Sequence, residues 1–181
     1  MNILLVNWQD PEHPQAGGAE IHLFEIFGRL AGRGHRIRLV CCGWPGGSER
    51  ARVQDIEIHR TGDRTSFALK GRGAVRRALA ADPPHILVED VNKLPLFTAG
   101  LTTLPSYVIV PHLFGTTAFE EVSWLQAAIV WLAERAIPRA YRRSAFHAIS
   151  ESTRDDLVAR GIPRSRIRVI HPGVDRQTYC P

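Results

Sequence analysis

Ile3-Leu4-Leu5-Val6 is an unbroken apolar tetrad, the pattern of a strand covered on both faces of a parallel sheet. A loop follows from Trp8 to Ala16, carrying Asp10-Pro11 and Pro14. Gly17-Gly18-Ala19-Glu20 then opens a segment in which Ile21, Phe24, Ile26, Phe27 and Leu30 approximate a helical stripe that Gly34 ends. From His35 to Val40 basic and apolar residues alternate as in a strand, which completes one βαβ unit. The rhythm repeats: a short strand at Ile56-Glu57-Ile58, a basic amphipathic helix from Phe67 to Ala81 stopped by Asp82-Pro83-Pro84, and buried strands at Ile86-Leu87-Val88 and Tyr107-Val108-Ile109-Val110. A long helix is predicted from Val122 to Arg143, bent or divided at Pro138, then a strand at Phe146 to Ile149. Ser150 or Ser152 caps a helix through Arg160, Gly161 ends it, and Ile167 to Ile170 form the last strand. Such alternation predicts one doubly wound α/β domain with a mainly parallel sheet and helices on both faces.

Composition narrows the class without choosing a ligand. At 181 residues with 44% hydrophobic and 23% charged positions, the chain is long enough to bury a core. The apolar stretch Val122 to Ala133 is interrupted by Ser123 and Gln126 and is too short to cross roughly 30 Å of hydrocarbon. The amino terminus shows no basic segment followed by a cleavage site, so the expectation is a cytoplasmic protein. Cys41, Cys42 and Cys180 give neither a disulfide framework nor a metal spacing, and read as inert thiols. A net charge of +5 favours anionic partners in general. The bases are scattered rather than interleaved with aromatics, which argues against nucleic acid.

In open α/β sheets ligands sit beyond the carboxyl ends of the strands. The loop after Val6 ends in Gly17-Gly18 at a helix start, where backbone amides and the helix dipole can meet a phosphate; a tight turn is the plainer account. A dinucleotide fingerprint is missing, because the glycines lie about ten residues beyond the first strand and the second strand ends in Cys41-Cys42-Gly43 rather than an acid. No Walker A loop is present. His112 follows a strand and precedes Gly115-Thr116-Thr117, a setting in which imidazole could bond a sugar hydroxyl or polarise a leaving group, or simply end the strand. Glu89, Asp90 and Lys93 end a neighbouring strand and could line the same crevice.

With these residues in place, the chain resembles the amino-terminal, acceptor-side domain of glycosyltransferase family 4, the retaining GT-B group. The resemblance is carried by Gly17-Gly18-Ala19-Glu20, by Arg33-Gly34-His35-Arg36, by His112, and most specifically by Ala148-Ile149-Ser150-Glu151-Ser152-Thr153 through Gly161-Ile162-Pro163 to Ile170-His171-Pro172-Gly173-Val174-Asp175. It covers nearly the whole chain and is weakest from Trp44 to Pro84. It implies two Rossmann-like domains across a cleft, with residues 1–175 forming the first, 176–181 opening a linker, and the nucleotide-sugar domain lying outside the chain. Gly17 and Gly18 would contact the donor diphosphate, and His112 the transferred sugar near its reacting carbon. Trp8, Asp10, Glu20, Glu89, Asp90, Lys93 and Thr116 are candidates for acceptor or sugar contact. No metal or other cofactor is expected. The spacing E-x7-E, which the family carries in its second domain, occurs here at Glu12/Glu20 and Glu49/Glu57 without the required setting.

The resulting expectation is the acceptor half of a retaining hexosyltransferase that moves a sugar such as mannose or glucose from a nucleotide-diphosphate donor, inactive without its second domain in cis or trans. A non-catalytic ligand-binding module, or the regulatory subunit of a split enzyme, is the alternative. Arg135, Arg139, Arg142 and Arg143 fall on one face at the end of a helix that also carries Trp124, Leu125, Ile129, Trp131 and Leu132. Two accounts stand open: peripheral contact with an anionic inner-membrane surface, or arginines complementing the helix dipole while the tryptophans face the core.

Overall fold

Successive residues of a strand point to opposite faces, and the first strand shows why its tetrad is apolar throughout. Ile3 and Leu5 join one core cluster and Leu4 and Val6 another. The computed structural model describes residues 1–115 and 123–173. Their strands are β1 (Asn2–Val6), β2 (Arg36–Cys41), β3 (Arg50–Val53), β4 (Ile56–Arg60), β5 (Ile86–Asp90), β6 (Ser106–Val110), β7 (Ala145–Ala148) and β8 (Ile167–Val169). They form a single sheet in the order β3-β4-β2-β1-β5-β6-β7-β8, parallel except for the β3–β4 hairpin at one edge. The helices are α1 (Gly18–Ala31), α2 (Phe67–Ala81), α3 (Trp124–Ala140) and α4 (Glu151–Ala159). This is the doubly wound, mainly parallel α/β sheet with helices on both faces that the sequence predicts.

Helix α1 lays Leu23, Phe24 and Phe27 against Ile37, Leu39, Ile56 and Ile58 on one face of the sheet. On the opposite face α2 contributes Phe67 and Val75 against Leu4, Val40 and Leu87, and α3 and α4 pack Ile137 and Leu157 against Val108, Val110 and Phe146. Each such fully buried side chain contributes about 1.5–3 kcal/mol. Predicted strands and helices all appear, most within a residue or two of their expected bounds. α2 spans Phe67–Ala81 as read, and Ser150 caps α4 by accepting from the Thr153 amide at 3.2 Å. α3 runs Trp124–Ala140 without dividing, with Pro138 in its last turn.

β3 was not expected. Gln54 and Asp55 link it to β4 with φ of 47° and 61°, a two-residue turn in which both positions are left-handed. Neither residue is the Asn-Gly or Asp-Gly pair that would mark such a turn in sequence, so only the Ile56 strand was legible.

Candidate functional site

β1, β5 and β6 are neighbours, and their carboxyl ends bring three loops to one edge of the sheet. Pairing of Val6 with Glu89 and of Asp90 with Ile109 sets the register. His112 therefore lies just beyond the end of β6, two strands over from β1 in the sheet order. Its side chain is exposed, edge-on to Phe114 at 4.7 Å between ring centres.

The glycine pair starts α1. Gly17 has an extended backbone, φ −140°, and its amide donates to Glu20 Oε2 at 2.8 Å, so its N–H is already held. A Cβ on Gly18 would meet nothing within 4 Å, and one on Gly17 only Glu20 Oε2 at 3.8 Å. Neither glycine is required by φ or by crowding within the chain. The space over them is open, and among the described residues the amides of Gly18 and Ala19 have no partner, as expected of a helix's first turn. A built anion cradle fits these observations; a turn that demands glycine does not.

Glu20 is buried and does not face open space. Its Oε1 accepts from Asn92 Nδ2 at 3.1 Å and Asn7 Nδ2 at 3.4 Å, which ties the glycine turn to the loops after β1 and β5. Lys93 donates from Nζ to Gln9 Oε1 at 2.8 Å, and burial lowers its pKa. Asp90 is 2% exposed, both carboxylate oxygens lack a partner among the described residues, and burial, then the charges of Glu20 and Glu89, push its pKa well up. Glu20, Asp90 and Lys93 thus gather beneath the glycine turn.

Other expected residues are placed elsewhere. Glu89 and Asp90 are adjacent and so fall on opposite faces of β5. Glu89 accepts from the amides of Leu96 (2.7 Å) and Thr98 (2.9 Å), the Thr98 hydroxyl and the Tyr141 hydroxyl (2.7 Å), which fills its acceptor positions inside the core. Asp10 is fully buried and grips Arg60 in a bidentate pair at 2.8 and 2.9 Å, with Cys41 Sγ at 3.4 Å. Both acids anchor loops. Trp8 donates from its indole to Leu94 O at 2.8 Å and packs edge-on against Phe67, leaving it as one wall of a 690 Å³ cleft shared with Lys93, Leu94, Phe114 and Ile129. Thr116 lies outside the described residues. The loop that follows Trp8 is packed: Gln9, Asp10 and His13 are buried, and burial lowers the His13 pKa.

Sequence reading missed Glu134. Buried on α3, it accepts from the amides of Phe114 (2.7 Å) and Gly115 (2.9 Å) and from Arg160 at 3.3 Å, so it holds the backbone just beyond His112. A lone acid on the inner side of an apolar helix was the available signal. Nor do all the tryptophans face the core: Trp124 is 75% exposed, and Trp131 lies beneath the Arg135 guanidinium at 4.4 Å.

Residues 16–178 match the model of Glycosyltransferase Family 4. The chain belongs to that family. Its fold is shared with the Anabaena protein HepE, solved with UDP-glucose (TM-score 0.63, 14% identity, 99% of this chain and 46% of that one). A glycosyltransferase from Rickettsia africae is similarly alike (TM-score 0.63, 15% identity, 97% and 44%). So is the lipopolysaccharide outer core galactosyltransferase WaaB (TM-score 0.59, 13% identity, 97% and 46%). The family-4 chain thus spans under half the length of these structures. No curated protein sequence matches it. Among the described residues no helix is long and apolar enough to cross a membrane.

Proposed function

We propose that the chain is the acceptor-side half of a retaining hexosyltransferase, using a nucleotide-diphosphate sugar and needing a second domain for turnover. The observation that carries this reading is the open glycine turn on the same sheet edge as the exposed His112, in a family-4 chain. HepE's complex with UDP-glucose supports a nucleotide-sugar donor. The free amides of Gly18 and Ala19 suit the charge that grows on a departing diphosphate, since preorganised donors stabilise charge where it develops. His112 stands where it can bond the sugar, and Glu134 fixes its loop. The 690 Å³ cleft, walled by Trp8 and Ile129 with Lys93 beside them, is the place for the acceptor. The residues present offer no cluster for a metal among those described, and none is invoked.

Saturation-transfer NMR with UDP-glucose is expected to detect weak binding, and incubation with radiolabelled UDP-glucose to give no transfer. Turnover by the chain alone would overturn the half-enzyme reading; UDP-glucose signals unaffected by Gly18→Ala would overturn the donor contact. The exposed face of α3, Trp124, Leu125, Ile129 and Leu132 followed by the arginines, supports a location against an anionic lipid surface.

A further inference from the structure

Apart from the cleft walled by Trp8 and Ile129, a 620 Å³ groove opens between α2 and the outer strands β2, β4 and β3. It exists because α2 packs over β1 and β2 and leaves the second face of the β3–β4 hairpin uncovered. Register places Val40, His59 and Arg50 side by side across that face, with Arg38, Glu57 and Arg52 one step along.

The charges in and around it do not cancel. Glu57 is taken by Arg36 at 3.3 Å, Asp82 by Arg36 at 2.7 Å and Arg38 at 3.7 Å, and Asp55 by Arg52 at 3.2 Å. Arg50 and Arg77 line the groove with no acid partner among the described residues. Arg38 is buried, and its guanidinium spends its outer nitrogens on the backbone carbonyls of Ala78 in α2 and of Asp82 just past it, while its Nε has no acceptor among the described residues. Glu49 is the acid on the wall, exposed at the rim. The inner wall is rigid: Arg60, locked to Asp10, stacks on Trp44 at 4.3 Å, and a Cβ on Gly47 would meet that indole at 2.7 Å.

We infer that this groove binds a small phosphorylated ligand, its phosphoryl group held between Arg50 and Arg77 and above Arg38. Two unneutralised guanidiniums match a phosphate monoester, which carries about −1.5 to −2 at neutral pH, and guanidinium forks suit its oxygens. A groove of this volume lies in the range of small-molecule sites, roughly 300–1,000 Å³. His59 sits beside Arg50, and burial, then Arg50, lowers its pKa with Glu57 opposing; a bound dianion would raise it.

The test is calorimetric titration of the chain with inorganic pyrophosphate at fixed ionic strength, in a Gly18→Ala background so that the glycine turn does not contribute. One saturable site is expected, weakened at least tenfold by Arg50→Ala with Arg77→Ala and unchanged by Arg33→Ala with Arg168→Ala, which removes the same charge elsewhere. The His59 ring resonance, assigned by His59→Gln, should move with the same saturation. No saturable heat, equal loss in both double variants, or a silent His59 would each overturn the site. Both pairs of arginines are exposed, and circular dichroism confirms that the variants fold.

Discussion

A glycine that its own chain does not need is the most informative residue in this protein. Gly18 has no left-handed φ and no neighbour within 4 Å of a Cβ. Gly18→Ala is therefore expected to leave unfolding stability unchanged or higher by up to about 1 kcal/mol, while UDP-glucose binding falls at least tenfold; urea titration and NMR check the two halves separately. Asp90 makes the opposite kind of prediction. Its pKa is raised by burial, so between about pH 3.9, where an unfolded carboxylate titrates, and its folded value the native state binds more protons than the unfolded one. Stability from this group is present at low pH and declines as pH rises through that window, at about 1.4 kcal/mol per unit. Asp90→Asn should flatten the decline and unfold at higher urea than the parent at pH 7, with the two converging near pH 4. An equal pH slope in both proteins would refute the buried-acid account. Neither property could be read from sequence, because both depend on what surrounds the residue in space.

Elements were legible where a local signal marked both ends. α2 has Asp82-Pro83-Pro84 as its stop, and its bounds came out as read. β3 was hidden because Gln54-Asp55 adopts a turn that sequence preference assigns to other residues. That mismatch is itself testable: Asp55→Gly relieves a left-handed φ at the loss of an exposed pair with Arg52, a contact worth little. It should raise stability by about 1 kcal/mol, measured by thermal unfolding. The role of Asp10, expected among the sugar contacts, was hidden for a related reason. Asp10 is separated by 50 residues from its partner Arg60, so nothing near it in sequence shows that it is a buried anchor between the β1 loop and β4. Asp10→Ala leaves the buried Arg60 guanidinium with Glu12 at 2.7 Å as its one carboxylate and is expected to cost about 3 kcal/mol, the low end for breaking a buried pair, with the midpoint of urea unfolding as the readout. The parallel core, by contrast, was legible from its apolar runs alone.

For the molecule as a whole the open question is what covers α3. Trp124, Leu125 and Leu132 are each more than 60% exposed, a patch that a lone domain in water rarely shows. Arg135, Arg139, Arg142 and Arg143 continue it at the carboxyl end of the helix, all exposed. Anionic lipid satisfies both parts at once, since each arginine near such a surface contributes about 1 kcal/mol and the apolar side chains can enter the headgroup boundary. The four arginines together then supply about 4 kcal/mol, most of which salt should screen, because the Debye length falls from about 10 Å at 0.1 M to about 3 Å at 1 M. Co-sedimentation is therefore expected with phosphatidylglycerol-containing vesicles and not with phosphatidylcholine alone, and is expected to weaken steeply with added salt. Trp124→Ser with Leu132→Ser should reduce it at every salt concentration, whereas Arg135→Ala with Arg139→Ala should reduce it mainly at low salt. Equal partition onto both vesicle types, or a stable dimer in sedimentation equilibrium that leaves lipid unbound, would assign the face to a second protein surface instead.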